Sequence, residues 1–284
     1  MEYVVYDVFT EHAFGGNPLA VIPDATALRE DQLQSIAREF NFSETTFVYP
    51  PERGGTARVR IFTPTMEVPF AGHPTIGAAR ALFDLGRAGG DMTLELGVGP
   101  IPVSVSGRTA RFETRVPLEI WPGPDTNIIA GSVGLPVDAI VQDQHAPIIA
   151  SVGLPFALAE VRDRKALSDA QPNSDVFRAF DPHWPASTHY DLLVYVRDAQ
   201  TVHARMFAPL DGIPEDPATG SAAAALTSFL GRLDGWSQGF TIHQGVDMGR
   251  PSLIETEVTV EGGAPVVVAV AGSAVKVMEG RLTL

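Results

Sequence analysis

The sequence predicts an α+β protein of two similar domains, each a mostly antiparallel, barrel-like sheet wrapped around one central helix. Three observations carry this reading. Arg60-Ile-Phe-Thr-Pro64 returns 145 residues later as Arg205-Met-Phe-Ala-Pro209, and each copy leads through a proline turn into a helix of small residues. Those helices hold Ala78 and Ala79 in the first copy and Ala222, Ala223 and Ala224 in the second, which lets strands approach closely on every side. Most of the remaining chain reads as short β-branched and aromatic stretches separated by turn residues. The domains are then residues 1–120 and 121–284, with the last strand free to cross back to the first domain.

Each element has a local reason. Tyr3–Phe9 and Leu19–Ile22 are strands around a Gly15-Gly-Asn-Pro18 turn. Leu33, Ile36, Ala37 and Phe40 fall at helical spacing, so about Arg29 to Phe40 is an amphipathic helix stopped at Asn41. A strand through Tyr49, another at Arg58–Thr63 and the small-residue helix from Pro74 to about Leu85 follow. Thr93–Leu96, Ile101–Ser106 and Ala110–Ile120 complete the first half. Residues 121–146 form the join, with a short helix at Asn127–Val133. The second half restarts with strands Ile148–Val152 and Phe156–Val161 around Gly153-Leu-Pro155, then a helix at Ser174–Phe180 and strands Asp191–Val196 and His203–Phe207. The second small-residue helix runs from Pro217 to about Leu233, and Phe240–Gln244, Leu253–Val260, Val266–Val270 and Ala274–Met278 are strands.

Composition excludes several classes of function. A net charge of −14 argues against nucleic acid and anionic membrane surfaces, which require a basic face. Zero cysteines remove disulfides, thiolate nucleophiles, cysteine zinc sites and any cysteine-pair racemase. No apolar leader core follows Met1, and no apolar run reaches the roughly 18 residues of a spanning helix. The expectation is a cytoplasmic, soluble protein. The histidines show no metal-ligand spacing, His183 and His189 included, so no metal is expected, and neither a dinucleotide fingerprint nor a phosphate-binding loop occurs.

Three polar residues stand out. His73 and Asp216 each directly precede a proline at the mouth of a small-residue helix. Proline favours the first helical position and Asp is a good cap, so the helices are expected to start at Pro74 and Pro217. Their positive ends would favour an acidic small molecule. If the halves pack face to face, His73 and Asp216 meet around one shared cleft. Glu44 interrupts the passage from the first helix into a β-branched strand and so sits at a strand mouth. Plainer readings exist for each: a surface carboxylate, a structural histidine and a simple N-cap. Ser221 lacks a nucleophile elbow, and with the backbone near Gly220 it is assigned to carboxylate binding.

Six ordered stretches also resemble a known family: Phe14-Gly-Gly-Asn-Pro-Leu-Ala20, Arg38-Glu-Phe-Asn-Phe-Ser-Glu-Thr-Thr-Phe-Val48, Arg60-Ile-Phe-Thr-Pro64, Phe70-Ala-Gly-His-Pro-Thr-Ile-Gly77, Glu215-Asp-Pro-Ala-Thr-Gly-Ser-Ala222 and Gln244-Gly-Val-Asp-Met-Gly-Arg-Pro-Ser252. Together they resemble the PhzF-type phenazine-biosynthesis isomerases. The resemblance implies the diaminopimelate epimerase-like fold and a cofactor-independent isomerase, usually a homodimer, with its site between the domains. Its best-understood member moves a proton within trans-2,3-dihydro-3-hydroxyanthranilate. On that resemblance Glu44, His73 and Asp216 fall on catalytic positions, and Ser43, Gly72, Gly220 and Ser221 on substrate-contacting ones. Pro217 follows the wider family, where the phenazine enzyme itself has a smaller residue. The implied activity is a proton shift next to the carboxylate of a small cyclic or unsaturated amino acid. The alternatives are an amino-acid epimerase or racemase, and a non-catalytic binding protein on the same fold.

Overall fold

A computed structural model describes residues 1–186 and 188–283. Contacts divide the chain into two compact units, one of residues 1–114 with 269–284 and the other of residues 115–268.

In the first unit, β1 (Glu2–Val8) pairs antiparallel with β2 (Asn17–Ile22), and α1 (Glu30–Phe40) crosses to β3 (Glu44–Tyr49), which lies parallel to β2. Asn41 ends α1 in the left-handed region at φ 52°, where Asn is tolerated and the helix stops. β4 (Ala57–Phe62) returns antiparallel and carries the two-residue β5 (Glu67–Val68) on one end. The chain then enters α2 (Gly72–Asp84) and emerges into β6 (Asp91–Leu96), parallel to β4, followed by antiparallel β7 (Gly99–Ser106) and β8 (Thr109–Thr114).

The second unit opens with β9 (Glu119–Pro122) and α3 (Thr126–Ser132), then repeats the plan. The antiparallel pair β10 (Ile148–Ser151) and β11 (Pro155–Glu160) is followed by α4 (Arg164–Asp169) and α5 (Ser174–Phe180), and then by β12 (Leu192–Asp198), parallel to β11. β13 (Thr201–Ala208) carries β14 (Ile213–Asp216), and α6 (Gly220–Asp234) leads to β15 (Gln238–Gln244), parallel to β13, and β16 (Ser252–Glu261). Finally β17 (Ala264–Arg281) brings the chain back to the first unit, where it pairs with both β1 and β8 and closes the barrel around α2.

The repeat is physical as well as sequential. Arg60 forks onto Glu67 of β5 and Glu30 of α1, at 2.6–2.7 Å. Arg205 forks onto Glu215 of β14 at 2.7 and 2.8 Å and donates to the carbonyls of Leu167, Ser168 and Ala170 at the end of α4. Each guanidinium also lies 5.1 Å from the ring two residues on, Phe62 or Phe207. In both units the arginine ties the strand hairpin to the helix covering the outer face, in the bidentate geometry that favours Arg over Lys.

Both central helices are buried on nearly every side, which only small residues permit. A Cβ added at Gly77 would lie 2.5 Å from Leu19 Cδ2 and 2.8 Å from Val8 Cγ2, and one at Gly231 would lie 2.5 Å from Val258 Cγ1.

Several expected boundaries move. Proline 74 is the third helical residue, because the first N–H groups of a helix have no intrahelical partner and a missing one there costs nothing. The second helix begins at Gly220, not Pro217: Asp216 closes β14, the residue before proline stays extended, and Thr219 takes the N-cap position. The segment read as Ala110–Ile120 breaks at Arg115–Leu118, where Pro117 cannot donate to a ladder. The last two expected strands are one, since Ala271-Gly-Ser273 continues extended and the Ser273 carbonyl accepts from Phe9 and Thr10. The short α4, capped by Asp163 accepting from Ala166, lacks the length for a periodic signal.

Gly77→Val and Gly231→Val, each forcing branched carbons into an occupied space, are expected to lower stability by about 1–3 kcal/mol. Chemical denaturation of each variant checks this, and unchanged midpoints would contradict the enclosed-helix packing.

Candidate active site

The first unit gathers Asn17, Glu44 and His73. β2 and β3 run parallel with Leu19 beside Glu44, so the starts of both strands lie together. The close approach of Gly77 to Leu19 and Val8 then seats the first turn of α2 on those strand ends. Nδ1 of His73 is 3.3 Å from Oε2 of Glu44 and 3.4 Å from Nδ2 of Asn17. The histidine is only 2% exposed and Asn17 is fully buried, while 15% of the Glu44 side chain remains open.

Burial pushes the His73 imidazole down to about 3, against a weaker opposing pull from the Pro18 backbone carbonyl. The ring is therefore neutral near pH 7, and its approach to Glu44 is not an ion pair. Nε2 has no hydrogen-bond partner among the described residues. The Asn17 amide nitrogen can only donate, so in its 3.4 Å contact Nδ1 of His73 is the acceptor and the ring proton falls to Nε2.

The second unit builds the end of β14 and the start of α6. Asp216 is 6% exposed, and its Oδ2 accepts from the Thr219 hydroxyl at 2.6 Å. Gly220 and Ser221 are the first two residues of α6, both buried. In this helical frame Gly220 corresponds to Gly72 and Ser221 to His73, since those open α2 in the same order. Asp216 is the last residue of β14 and lies ahead of its helix, as Val68 ends β5 in the first unit, whereas His73 lies within the first turn of α2. Close by, Asp191 is 9% exposed, and burial, with the charges of Asp211, Asp216 and Asp181 adding to it, pushes its carboxyl well above the usual carboxylate range.

Of the residues read from the sequence, Glu44 and His73 are brought together, with Gly72 beside His73 in the chain and Ser43 half-buried just ahead of β3. Asp216, Gly220 and Ser221 form the second group. His189 contacts Asp181 at 3.1 Å, and no group of three or more His, Asp or Glu is arranged to hold a metal among the described residues. Sequence reasoning assigned no role to Asn17, Thr219, Gln244 or Asp191. The first three lie inside motifs already singled out, where a polar residue flanked by Gly or Pro was the available signal. Asp191 gave none, being a single carboxylate ahead of an apolar strand.

Chemically, the first group offers a partly enclosed carboxylate beside a neutral imidazole, and the second a buried carboxylate at a helix start whose first N–H groups suit an anion. No helix among the described residues is long and apolar enough to cross a membrane.

Comparison with known proteins gives the family of the chain. The family model described as phenazine biosynthesis-like protein matches residues 6–280. An uncharacterised isomerase of Mesorhizobium japonicum is 38% identical over 298 aligned positions, covering 99% of this chain and 98% of the relative. The trans-2,3-dihydro-3-hydroxyanthranilate isomerase of Pseudomonas aeruginosa is 34% identical, with 99% of each chain covered. The crystal structure of a PhzF-family phenazine biosynthesis protein from Bacillus anthracis superposes with a TM-score of 0.88 over 100% of this chain and 99% of that one, at 24% identity. The fold is thus the diaminopimelate epimerase-like arrangement of two helix-centred sheets. From its residue 6 to residue 280, the chain belongs to the phenazine biosynthesis-like, or PhzF, family of isomerases.

Proposed function

We propose that this isomerase moves a proton next to the carboxylate of a small cyclic or unsaturated amino acid, of the kind named for the Pseudomonas aeruginosa relative. The observation that carries the proposal is the 3.3 Å approach of Glu44 to a buried, neutral His73. Glu44 removes a proton from carbon, the electron pair shifts into the adjacent unsaturated system, and a proton is added at its far end. Atoms and electrons balance without a redox partner. Imidazolium is scarce in a ring held near 3, so His73 guides by hydrogen bonding; Asp216 enters the cycle protonated and gives its proton to the far carbon, and exchange with solvent then removes the proton taken by Glu44 and restores the one lost by Asp216. Ser43 and the helix starts at Gly72, Gly220 and Ser221 hold the carboxylate of the substrate. The proposal includes function without a cofactor, in the cytoplasm, as a homodimer.

Incubation with trans-2,3-dihydro-3-hydroxyanthranilate in deuterated water tests the assignment. Wild type is expected to convert the substrate with label incorporated, and Glu44→Gln to lose at least about 100-fold in both conversion and exchange. Asp216→Asn should slow product formation while still washing label into recovered substrate. Equal exchange by wild type and Glu44→Gln would remove Glu44 as the base, and a change of optical rotation without isomerisation would favour an epimerase.

His73 also makes a pH prediction. The folded state holds the ring near 3, whereas the unfolded ring titrates near 6.5, so unfolding takes up a proton between those values. Stability attributable to His73 therefore falls as pH drops through that window, by about 1.4 kcal/mol per unit. Urea unfolding at pH 7 and pH 5 should show this slope in wild type and a shallower one in His73→Gln; identical slopes would contradict a buried neutral imidazole.

A further inference from the structure

Gln244 closes β15 and is 1% exposed. Its Nε2 donates to the Asp216 carbonyl at 2.8 Å and to Thr219 Oγ1 at 3.0 Å, while its Oε1 accepts from the Thr219 backbone N–H at 3.2 Å. The directions are forced. A carbonyl can only accept and a backbone N–H can only donate, which fixes the amide orientation. Because Thr219 Oγ1 accepts from Gln244, its own proton is free for Asp216, and it donates to Oδ2 at 2.6 Å. The result is a one-way chain from Gln244 through Thr219 to the Asp216 carboxylate, with all three residues buried.

A purely structural account fits this poorly. Thr219 stands at the N-cap of α6, where its hydroxyl would ordinarily accept from a backbone N–H of the first turn, yet it makes no such bond. The hydroxyl is directed at Asp216 instead, and the helix start forgoes its cap. The matching position in the first unit is Ala71, which has no side chain for either job. Gly245, next after Gln244, presses on the same turn. It has φ +71°, and an added Cβ would lie 2.6 Å from the Pro217 carbonyl oxygen and 2.4 Å from that of Arg250.

We infer that Thr219 and Gln244 are positioning residues for the proton shift: Gln244 orients the Thr219 hydroxyl, and that hydroxyl fixes the rotamer and proton affinity of the Asp216 carboxylate. The inference rests on the proposed role of Asp216. A hydroxyl donated to a carboxylate favours its ionised form, so removing the hydroxyl should make Asp216 hold its proton to higher pH.

The test compares wild type, Thr219→Val, Thr219→Ser and Gln244→Leu by two readouts. The first is titration of the Asp216 side-chain carboxyl carbon by NMR, which needs no substrate. The second is the pH profile of kcat and KM with trans-2,3-dihydro-3-hydroxyanthranilate. In Thr219→Val the Asp216 titration and the matching limb of the kcat profile should both move up by about one pH unit. Turnover should fall about tenfold with KM changed less than about twofold, and Thr219→Ser should restore wild-type values. Gln244→Leu should move the titration in the same direction by less; if it fails to fold, the Thr219 pair alone decides. A folded Thr219→Val whose Asp216 titrates as in wild type would overturn the inference. A displaced titration with no turnover even in wild type would uphold the hydrogen-bond chain and count instead against the proton-shift reading.

Discussion

Enclosure of the first turn of α2 is the constraint on which the rest depends. In water a histidine 3.3 Å from a carboxylate would hold its proton and form an ion pair, and the carboxylate would be neutralised as a base. An opposite charge at such a distance raises an imidazole by about one to three units, whereas full burial lowers it by up to about three to five. Burial wins at His73, which sits near 3. The carboxylate of Glu44 consequently faces a neutral ring, with 15% of its side chain exposed.

That enclosure is produced by the same device twice. A helix of Gly and Ala is small enough to be surrounded, and the arginine fork before it, Arg60 or Arg205, locks the hairpin that feeds it. The two units then diverge where chemistry is concerned. At the second helical residue stand His73 and Ser221, at the cap Ala71 and Thr219, and at the end of the preceding short strand Val68 and Asp216. One copy places its polar group inside the helix and draws its carboxylate from β3; the other places the carboxylate ahead of the helix and holds it with the hydroxyl of Thr219.

The architecture was legible in the sequence because its cause is repetitive. The Arg-x-Phe-x-Pro duplication, the alanine runs and the turn glycines are local signals, and they locate both central helices and most strands. Parallel pairings such as β2 with β3 and β13 with β15 were not legible, since they depend on which crossover helix covers which face. At the site, Glu44 and His73 could be nominated by residue type and position. Their neighbour Asn17 could be found only once register put the start of β2 beside that of β3. The shared polar-residue-before-proline pattern misled, because Pro74 lies within its helix and Pro217 ahead of its own; side-chain roles at a turn follow the cap geometry, which composition does not encode.

The central claim is that Glu44, with His73, and Asp216 serve one substrate in one proton shift, and a double-substitution cycle tests it most directly. Rates of conversion would be measured for Glu44→Gln, Asp216→Asn and the two combined. Groups that serve successive proton transfers of one reaction are not independent, so the double variant should be no more than a few-fold slower than the slower single variant. Losses that multiply in full, or a single variant that retains wild-type rate, would contradict the account.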